Sequence, residues 1–277
     1  MTAGQISGET WSDASASVAQ RFVAARLAAR ALPGFPGPIP SELGTAYRHQ
    51  DEAIALWPSS VVGWKIGRIP AHFEAALKAE RLAGPIFADG VWRTQADIEV
   101  TFPVFEGGFA AIEGEYVIEL ARDIPPEARD WPRDEAAALI SELRAGIETA
   151  GSPLSSINEL GPTVVVSDFG NNHGLILGPP IKGWRSRSFE SMTCASFVNG
   201  TRVGEGGAAS LPGGPLGALR FLLALAARRG LTLRAGDLIS TGATTGIHDV
   251  VAGQSGRVVF DGELVLRCRA VPALPVG

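Results

Sequence analysis

The hydrophobic pattern of the chain changes period near residue 60. Before that point it is helical. The stretch "SVAQRFVAARLAARAL", residues 17–32, puts Val18, Phe22 and Ala25 on one face and its arginines largely elsewhere, which predicts a helix. A proline-rich connector follows at 33–40. A second helix is expected over roughly 41–57, with Leu43, Tyr47, Ile54 and Trp57 on one stripe. The first ten or so residues read as a loose tail.

From residue 60 the chain alternates as strands do. "SVVGWKIG" places Val61, Gly63 and Lys65 on one side and Val62, Trp64 and Ile66 on the other. A helix is expected near 71–81, a strand at "IEGEYVIEL" (112–120), and a helix over roughly 133–149. "TVVVSD" and "GLILG" read as short buried strands. Residues 214–230 form the clearest helix, with Arg228 and Arg229 in its last turn and Gly230 placed as its C-terminal cap. "RVVFDGELVLRC" reads as a hairpin about Asp261-Gly262. Helices first, then strands with helices interspersed, imply an α+β fold with a substantial antiparallel or mixed sheet. The expected organisation is a tail and helical arm over 1–58 and a mixed-sheet domain over 59–277.

Bulk properties narrow the partners. Of 277 residues, 45% are hydrophobic and 19% charged, an ordinary globular balance with net charge −5. No Lys/Arg block forms a basic patch, so no nucleic-acid partner is expected, and no apolar run reaches the ~18 residues of a membrane span. The opening residues lack the charged and apolar regions of a signal peptide. Two cysteines, Cys194 and Cys268, are too few for a disulfide framework and wrongly spaced for zinc. A cytoplasmic location is the expectation.

The glutamate-bearing strand poses the chemical question. Glu113, Glu115, Val117 and Glu119 share one face. That face either meets solvent, or the acids at i and i+2 share a hard divalent cation such as Mg²⁺ or Mn²⁺. Gly114 between them suggests close approach by another group. Glu148, at the end of the expected 133–149 helix, opposes the helix dipole; either Arg144 four residues back compensates, or a metal does. Lys65 is either exposed or paired with a carboxylate. Asp89 in "PIFADGVW" and Asp168 in "VVVSDFGNNHG" are either turn residues or ligand-facing acids. "STGATTG", 240–246, offers hydroxyls and backbone amides, including those of Thr241, as a cradle for a carboxylate.

The order of "AYRHQDEAI", "VVGWKIG", "PIFADGV", "IEGEYVIEL", "GIETAG", "VVVSDFGNNHGLILG" and "GDLISTGATTG", spread over about residues 20–270, resembles the 2-keto-4-pentenoate hydratase and 4-oxalocrotonate decarboxylase group of the fumarylacetoacetate hydrolase superfamily. The resemblance implies a rolled mixed β-sheet core with flanking helices and an N-terminal helical portion, in a homo-oligomer. It implies a metal site of Glu113, Glu115 and Glu148 holding Mg²⁺ or Mn²⁺, with Lys65 and Asp89 catalytic. Ile66, Asp168, Asn171 and Thr241 are expected around the substrate. The implied reaction is hydration of a 2-hydroxy-2,4-dienoate to a 4-hydroxy-2-oxo acid in aromatic catabolism. Alternatives are 4-oxalocrotonate-type decarboxylation, acylpyruvate C–C hydrolysis, or a non-catalytic binding oligomer. Two stretches depart from the family pattern: "GRIPAHFE" after Lys65, in place of a Leu-Thr-Ser-like run, and Gly170, Asn171 and Asn172 in place of small serines. Both are expected to reshape the substrate pocket.

Overall fold

The computed structural model describes residues 16–276. Its helices are α1 (Val18–Leu27), α2 (Leu43–Leu56), α3 (Ala71–Leu77), α4 (Arg133–Ala137), α5 (Pro162–Ser167) and α6 (Gly214–Arg229). Its strands are β1 (Val61–Arg68), β2 (Arg81–Phe87), β3 (Val91–Arg93), β4 (Glu99–Val104), β5 (Phe109–Leu120), β6 (Ile140–Ser152), β7 (Asn172–Pro180), β8 (Thr193–Val198), β9 (Thr201–Gly207), β10 (Leu238–Ser240), β11 (His248–Asp249), β12 (Ser255–Phe260) and β13 (Leu264–Pro272). Among the described residues these strands form two sheets. One runs β2-β1-β10-β5-β6-β7-β3, with β11 also pairing β5; the other runs β4-β13-β12-β8-β9. The pairs β1–β10, β3–β7 and β4–β13 are parallel and the rest antiparallel, so both sheets are mixed, as expected. The loose tail expected for the first residues lies outside the described residues.

The two faces of β5 explain the architecture. Ile112, Tyr116 and Ile118 point into the main core, where they meet Val258, Phe260 and Leu266 of the second sheet and Leu219 and Leu222 of α6. Gly114 lies on this face too. A Cβ there would sit 2.9 Å from Val258 Cγ1, 3.0 Å from Cys194 Sγ and 3.1 Å from Ser196 Oγ. The close approach that a strand glycine signals is therefore made by the second sheet, behind the glutamates. The opposite face carries Glu113, Glu115 and Val117, all buried.

Several expected elements differ. Residues 133–149 are not one helix: α4 is a single short turn, and Glu148 lies on β6. Helix-favouring Ala, Glu and Leu are overridden because β6 supplies the antiparallel partner of the whole 12-residue β5. "TVVVSD" folds instead into α5, where Pro162 opens the helix and Gly161, at φ +99, turns the chain into it. Its valines pack on α1 and α2 side chains such as Phe22 and Ala46. The helix expected over 71–81 stops at Leu77, because Lys78 is left-handed at φ +52, and β2 starts at Arg81. The helix expected over 17–32 also stops early, at Leu27, with Ala29 left-handed at φ +49. As expected, Gly230 caps α6 in the left-handed conformation, and Asp261 and Gly262, both at positive φ, turn β12 into β13. No helix among the described residues is long and apolar enough to cross a membrane.

The packing behind the glutamates sets a test. Gly114→Val is expected to lower folding stability by about 1–3 kcal/mol through overpacking against the second sheet. Urea denaturation measures it, and an unchanged midpoint would show that the sheets separate freely at this point.

Candidate metal centre

Antiparallel register brings the acids together. Glu113 on β5 lies directly opposite Glu148 on β6, and Glu115 lies two residues further along the same face. Opposed side chains on neighbouring strands have Cβ atoms ~4.5–5.5 Å apart, and like charges so placed repel. Glu115 and Glu148 are 0% exposed and Glu113 is 4% exposed. One oxygen from each carboxylate lies within 4.8 Å of the others.

Two of the acids are held so that an oxygen stays free. Glu115 Oε2 accepts hydrogen bonds from Ser240 Oγ (2.6 Å) and the Gly242 amide (2.8 Å). Glu148 Oε1 accepts one from Asn172 Nδ2 (3.0 Å) and pairs with Lys65 Nζ at 3.2 Å. Glu113 Oε1, Glu115 Oε1 and Glu148 Oε2 are buried without a hydrogen-bond partner. Buried polar atoms are normally satisfied, and three clustered carboxylates, each with an orphaned oxygen, are the kind of donor set a hard divalent cation takes.

Electrostatics point the same way. Three carboxylates against the one ammonium of Lys65 leave two buried negative charges, which a dication would neutralise. Burial and then repulsion from Glu148 push the Glu113 carboxyl up to about 8, with Lys65 pulling only part of the way back. Burial, followed by Glu148 and Glu113, holds Glu115 well above the usual carboxylate range. Burial draws Lys65 down, but Glu148, Glu113 and Glu115 outweigh it, and the ammonium is held above its ordinary value.

Glu113 of the cluster lines a cavity of about 480 Å³, within the ~300–1,000 Å³ usual for small-molecule sites. Lys65, Glu113 and Asn171 border it at depth. Asn171 Oδ1 accepts from Lys65 Nζ (3.2 Å), while its Nδ2 donates to Asn158 Oδ1 (3.1 Å). The turn that presents Asn171 is strained. Phe169, Gly170 and Asn171 all adopt positive φ (54°, 65° and 55°), and two of the three carry side chains. Such runs cost free energy and cluster at functional sites.

The expected residues separate into two groups. Lys65, Ile66, Asn171, Thr241 and Glu113 border the cavity, and Glu115 and Glu148 lie in the same acid cluster. Asp89 does not join them: it is exposed on a short turn whose amide bonds Ser59 Oγ, away from the cavity lining. Asp168 is buried but engaged elsewhere. Both its oxygens take Arg26 (2.6 and 3.0 Å) and one also takes Ser152 Oγ, so it ties α1 to the strained turn instead of facing substrate. The Thr241 hydroxyl donates to the Tyr116 carbonyl (2.7 Å), which leaves its backbone and methyl to line the wall. The 240–246 segment does cradle a carboxylate, and that carboxylate is Glu115. Arg144, expected as a partner of Glu148, pairs with Glu119 at 2.8 Å.

Sequence reasoning missed Asn158, Ser240, Gly242, Arg81 and Asp249, and singled out Asn172 only as a change to the pocket, not as a partner of Glu148. Asn172 and Ser240 stood inside quoted motifs, but only the register shows which acid each one meets. Arg81 was hidden by the overlong helix expected across 71–81.

No protein-family model matches the chain. Among solved structures it is similar to 4-oxalocrotonate decarboxylase from Pseudomonas putida complexed with magnesium and adipate, with TM-score 0.76 and 20% identity over 92% of this chain and 96% of that one. It is also similar to fumarylpyruvate hydrolase from Pseudomonas aeruginosa in complex with Mn²⁺ and pyruvate (TM-score 0.56, 17% identity, 76% of this chain and 89% of that one). A third is 2-hydroxyhepta-2,4-diene-1,7-dioate isomerase from Mycobacterium marinum (TM-score 0.53, 16% identity, 77% of each chain). These likenesses show that the chain has the fumarylacetoacetate-hydrolase-like fold.

The raised carboxyl groups set an unusual pH dependence for the metal-free protein. Unfolded glutamate titrates near 4.5, and Glu113 in the fold near 8, so the folded state binds the extra proton between those values. Stability contributed by this group is full below about pH 4.5 and is lost as pH rises towards 8, with a slope of at most about 1.4 kcal/mol per pH unit. Urea titrations of chelator-treated protein at pH 5, 6, 7 and 8 are expected to show this fall, reduced in Glu113→Gln. A wild-type stability that rises across the window would contradict it.

Proposed function

We propose that the chain is a metal-dependent hydratase. It would hold Mg²⁺ or Mn²⁺ through Glu113, Glu115 and Glu148, and add water to a 2-hydroxy-2,4-dienoate to give a 4-hydroxy-2-oxo acid. The observation that carries the reading is the set of three orphaned carboxylate oxygens beside Lys65 at the floor of a substrate-sized cavity. Fold relatives complexed with magnesium and adipate, and with Mn²⁺ and pyruvate, lend support.

A bound divalent cation supplies Lewis-acid polarisation and charge neutralisation for a 2-oxygen-substituted carboxylate. Lys65, steadied by Glu148 and Asn171, directs its ammonium at the cavity floor, where negative charge develops on the substrate's C2 oxygen. Ketonisation moves the hydroxyl proton's equivalent to C5 and leaves an enone. Water then bonds through oxygen to C4, and a proton returns to C3, so the net change is addition of one water. The catalytic acid expected at Asp89 is replaced by Asp249, an exposed side chain and the one carboxylate besides Glu113 that lines the cavity among the described residues, and proton transfer falls to it. Ile66, Thr241 and Gly242 form the wall along which the carbon chain lies.

Decarboxylation of the 4-oxalocrotonate type is the second reading. It is favoured by the similarity, at TM-score 0.76, to a structure of that enzyme. Acylpyruvate hydrolysis calls for a base to activate water, and no histidine lines the cavity among the described residues.

Two measurements test the reading. Loss of the dienoate's ultraviolet absorbance is expected only with Mg²⁺ or Mn²⁺ present, and Glu113→Gln is expected to abolish it with the circular dichroism spectrum retained. Full turnover after exhaustive chelation would reject the metal site. Asp249→Asn is expected to lower kcat by about 10²–10⁴-fold; an unchanged kcat would remove Asp249 from proton transfer.

A further inference from the structure

Two asparagines divide one buried ion pair between them. Asn172 Nδ2 donates to Glu148 Oε1 (3.0 Å), and Asn171 Oδ1 accepts from Lys65 Nζ (3.2 Å), the ammonium that pairs with that same Glu148 oxygen. Both stand in the stretch that departs from the family pattern, in place of small serines. A serine hydroxyl ends closer to the backbone than an amide oxygen, and it donates as readily as it accepts. The amide oxygen only accepts, and it holds an ammonium without adding a further negative charge to the cluster.

Backbone geometry gives Asn171 its reach. Gly84 is the β2 residue directly opposite Lys65 on β1. A Cβ on Gly84 would clash with the Phe169 carbonyl and sit 2.9 Å from Gly170 Cα, so the strained turn lies on β2 where no side chain intervenes. Asn171, at φ +55, closes that turn, and asparagine is among the residues that enter left-handed backbone most readily. The outer end of its amide is held as well. Nδ2 donates to Oδ1 of Asn158 (3.1 Å), an exposed residue of the loop between β6 and α5 that also lines the cavity. The two ends of a side-chain amide have nearly the same shape and opposite hydrogen-bonding character. Reversed, Asn171 would turn N–H groups towards the ammonium. With Lys65 at one end and the Asn158 oxygen at the other, a single orientation satisfies both.

Donor arithmetic then fixes Lys65. An ammonium has three N–H groups and no acceptor. Glu148 and Asn171 take two, which leaves one for the cavity that Lys65 borders. The unpartnered oxygens of Glu113 and Glu115 also attract this ammonium. Released by Asn171, it would turn to them and occupy the oxygens that a metal ion needs. We infer that Asn158 is a positioning residue for Lys65 and acts through Asn171: it pins the Asn171 amide, and that amide holds the ammonium with a single N–H left for the substrate's C2 oxygen. The catalytic consequence rests on the role of Lys65 in the proposed hydration, while the relay from Asn158 to the ammonium stands on its own geometry.

The test reads the ammonium and the turnover separately in the magnesium-loaded full chain. Lys65, Lys78 and Lys182 are the only lysines of the sequence, and the last two are exposed. With isotope-labelled lysine nitrogen, NMR is expected to show one slowly exchanging ammonium signal, that of Lys65. Its proton exchange is expected to quicken about three- to tenfold in Asn158→Ala, the worth of one hydrogen bond, and to return to the wild-type rate in Asn158→Asp, which keeps an acceptor. On the dienoate, kcat is expected to fall by about the same factor in Asn158→Ala, with KM within about twofold of wild type, and to recover in Asn158→Asp. Asn158 is exposed, so folding is unaffected. The Asn158→Ala/Asn171→Ala double variant is expected to lose no more than Asn171→Ala alone. Losses that multiply, an exchange rate indifferent to Asn158→Ala, or no slowly exchanging signal in the wild type would each overturn the inference. A Lys65 signal that responds to Asn158, in a chain that leaves the dienoate unconsumed, would overturn the hydratase reading and leave the relay standing.

Discussion

The molecule is organised around the opposition of Glu113 and Glu148 across two paired strands. Nothing in the packing of β5 against β6 requires two buried carboxylates to face each other, and their repulsion works against the fold. With Glu115 beside them and only Lys65 to offset them, full ionisation would leave two net negative charges inside, and Glu113 and Glu115 are held well above the usual carboxylate range as a result. Such an arrangement makes physical sense as one half of a coordination shell.

Much of the surrounding structure serves to keep that half-shell rigid. Gly114 lets the second sheet press directly on the back of the glutamate strand. Ser240 and the Gly242 amide lock one oxygen of Glu115, and Asn172 and Lys65 lock one of Glu148. A longer chain of contacts supports Lys65. Arg26, sandwiched between the rings of Phe105 and Phe169, grips Asp168, whose carbonyl accepts the Asn171 amide at 2.9 Å. That grip fixes the left-handed turn from which Asn171 reaches the lysine. Asp168 thus acts at a distance from the substrate, as an anchor for α1 and the turn.

Legibility in the sequence followed the range of the interaction concerned. The alternation of "IEGEYVIEL" and the cap at Gly230 are local and were readable. The three acids and Lys65 were nominated by order and spacing of motifs, and the structure brings them together. What could not be read was pairing. Helix-forming residues around Glu148 became a strand because β5 needed a partner, and β-branched Val164–Val166 became a helix because α1 and α2 offered a surface. Asp89 and Asp168 carried plausible local chemistry, yet one turned out to be exposed and the other already paired.

The central claim is that three distant carboxylates form one ion site. It is tested most directly by anomalous diffraction from crystals of the chain loaded with Mn²⁺. The account expects one manganese peak per chain, with an oxygen each from Glu113, Glu115 and Glu148 at about 2.0–2.2 Å. A peak elsewhere, or an ion held by only one of these acids, would contradict it.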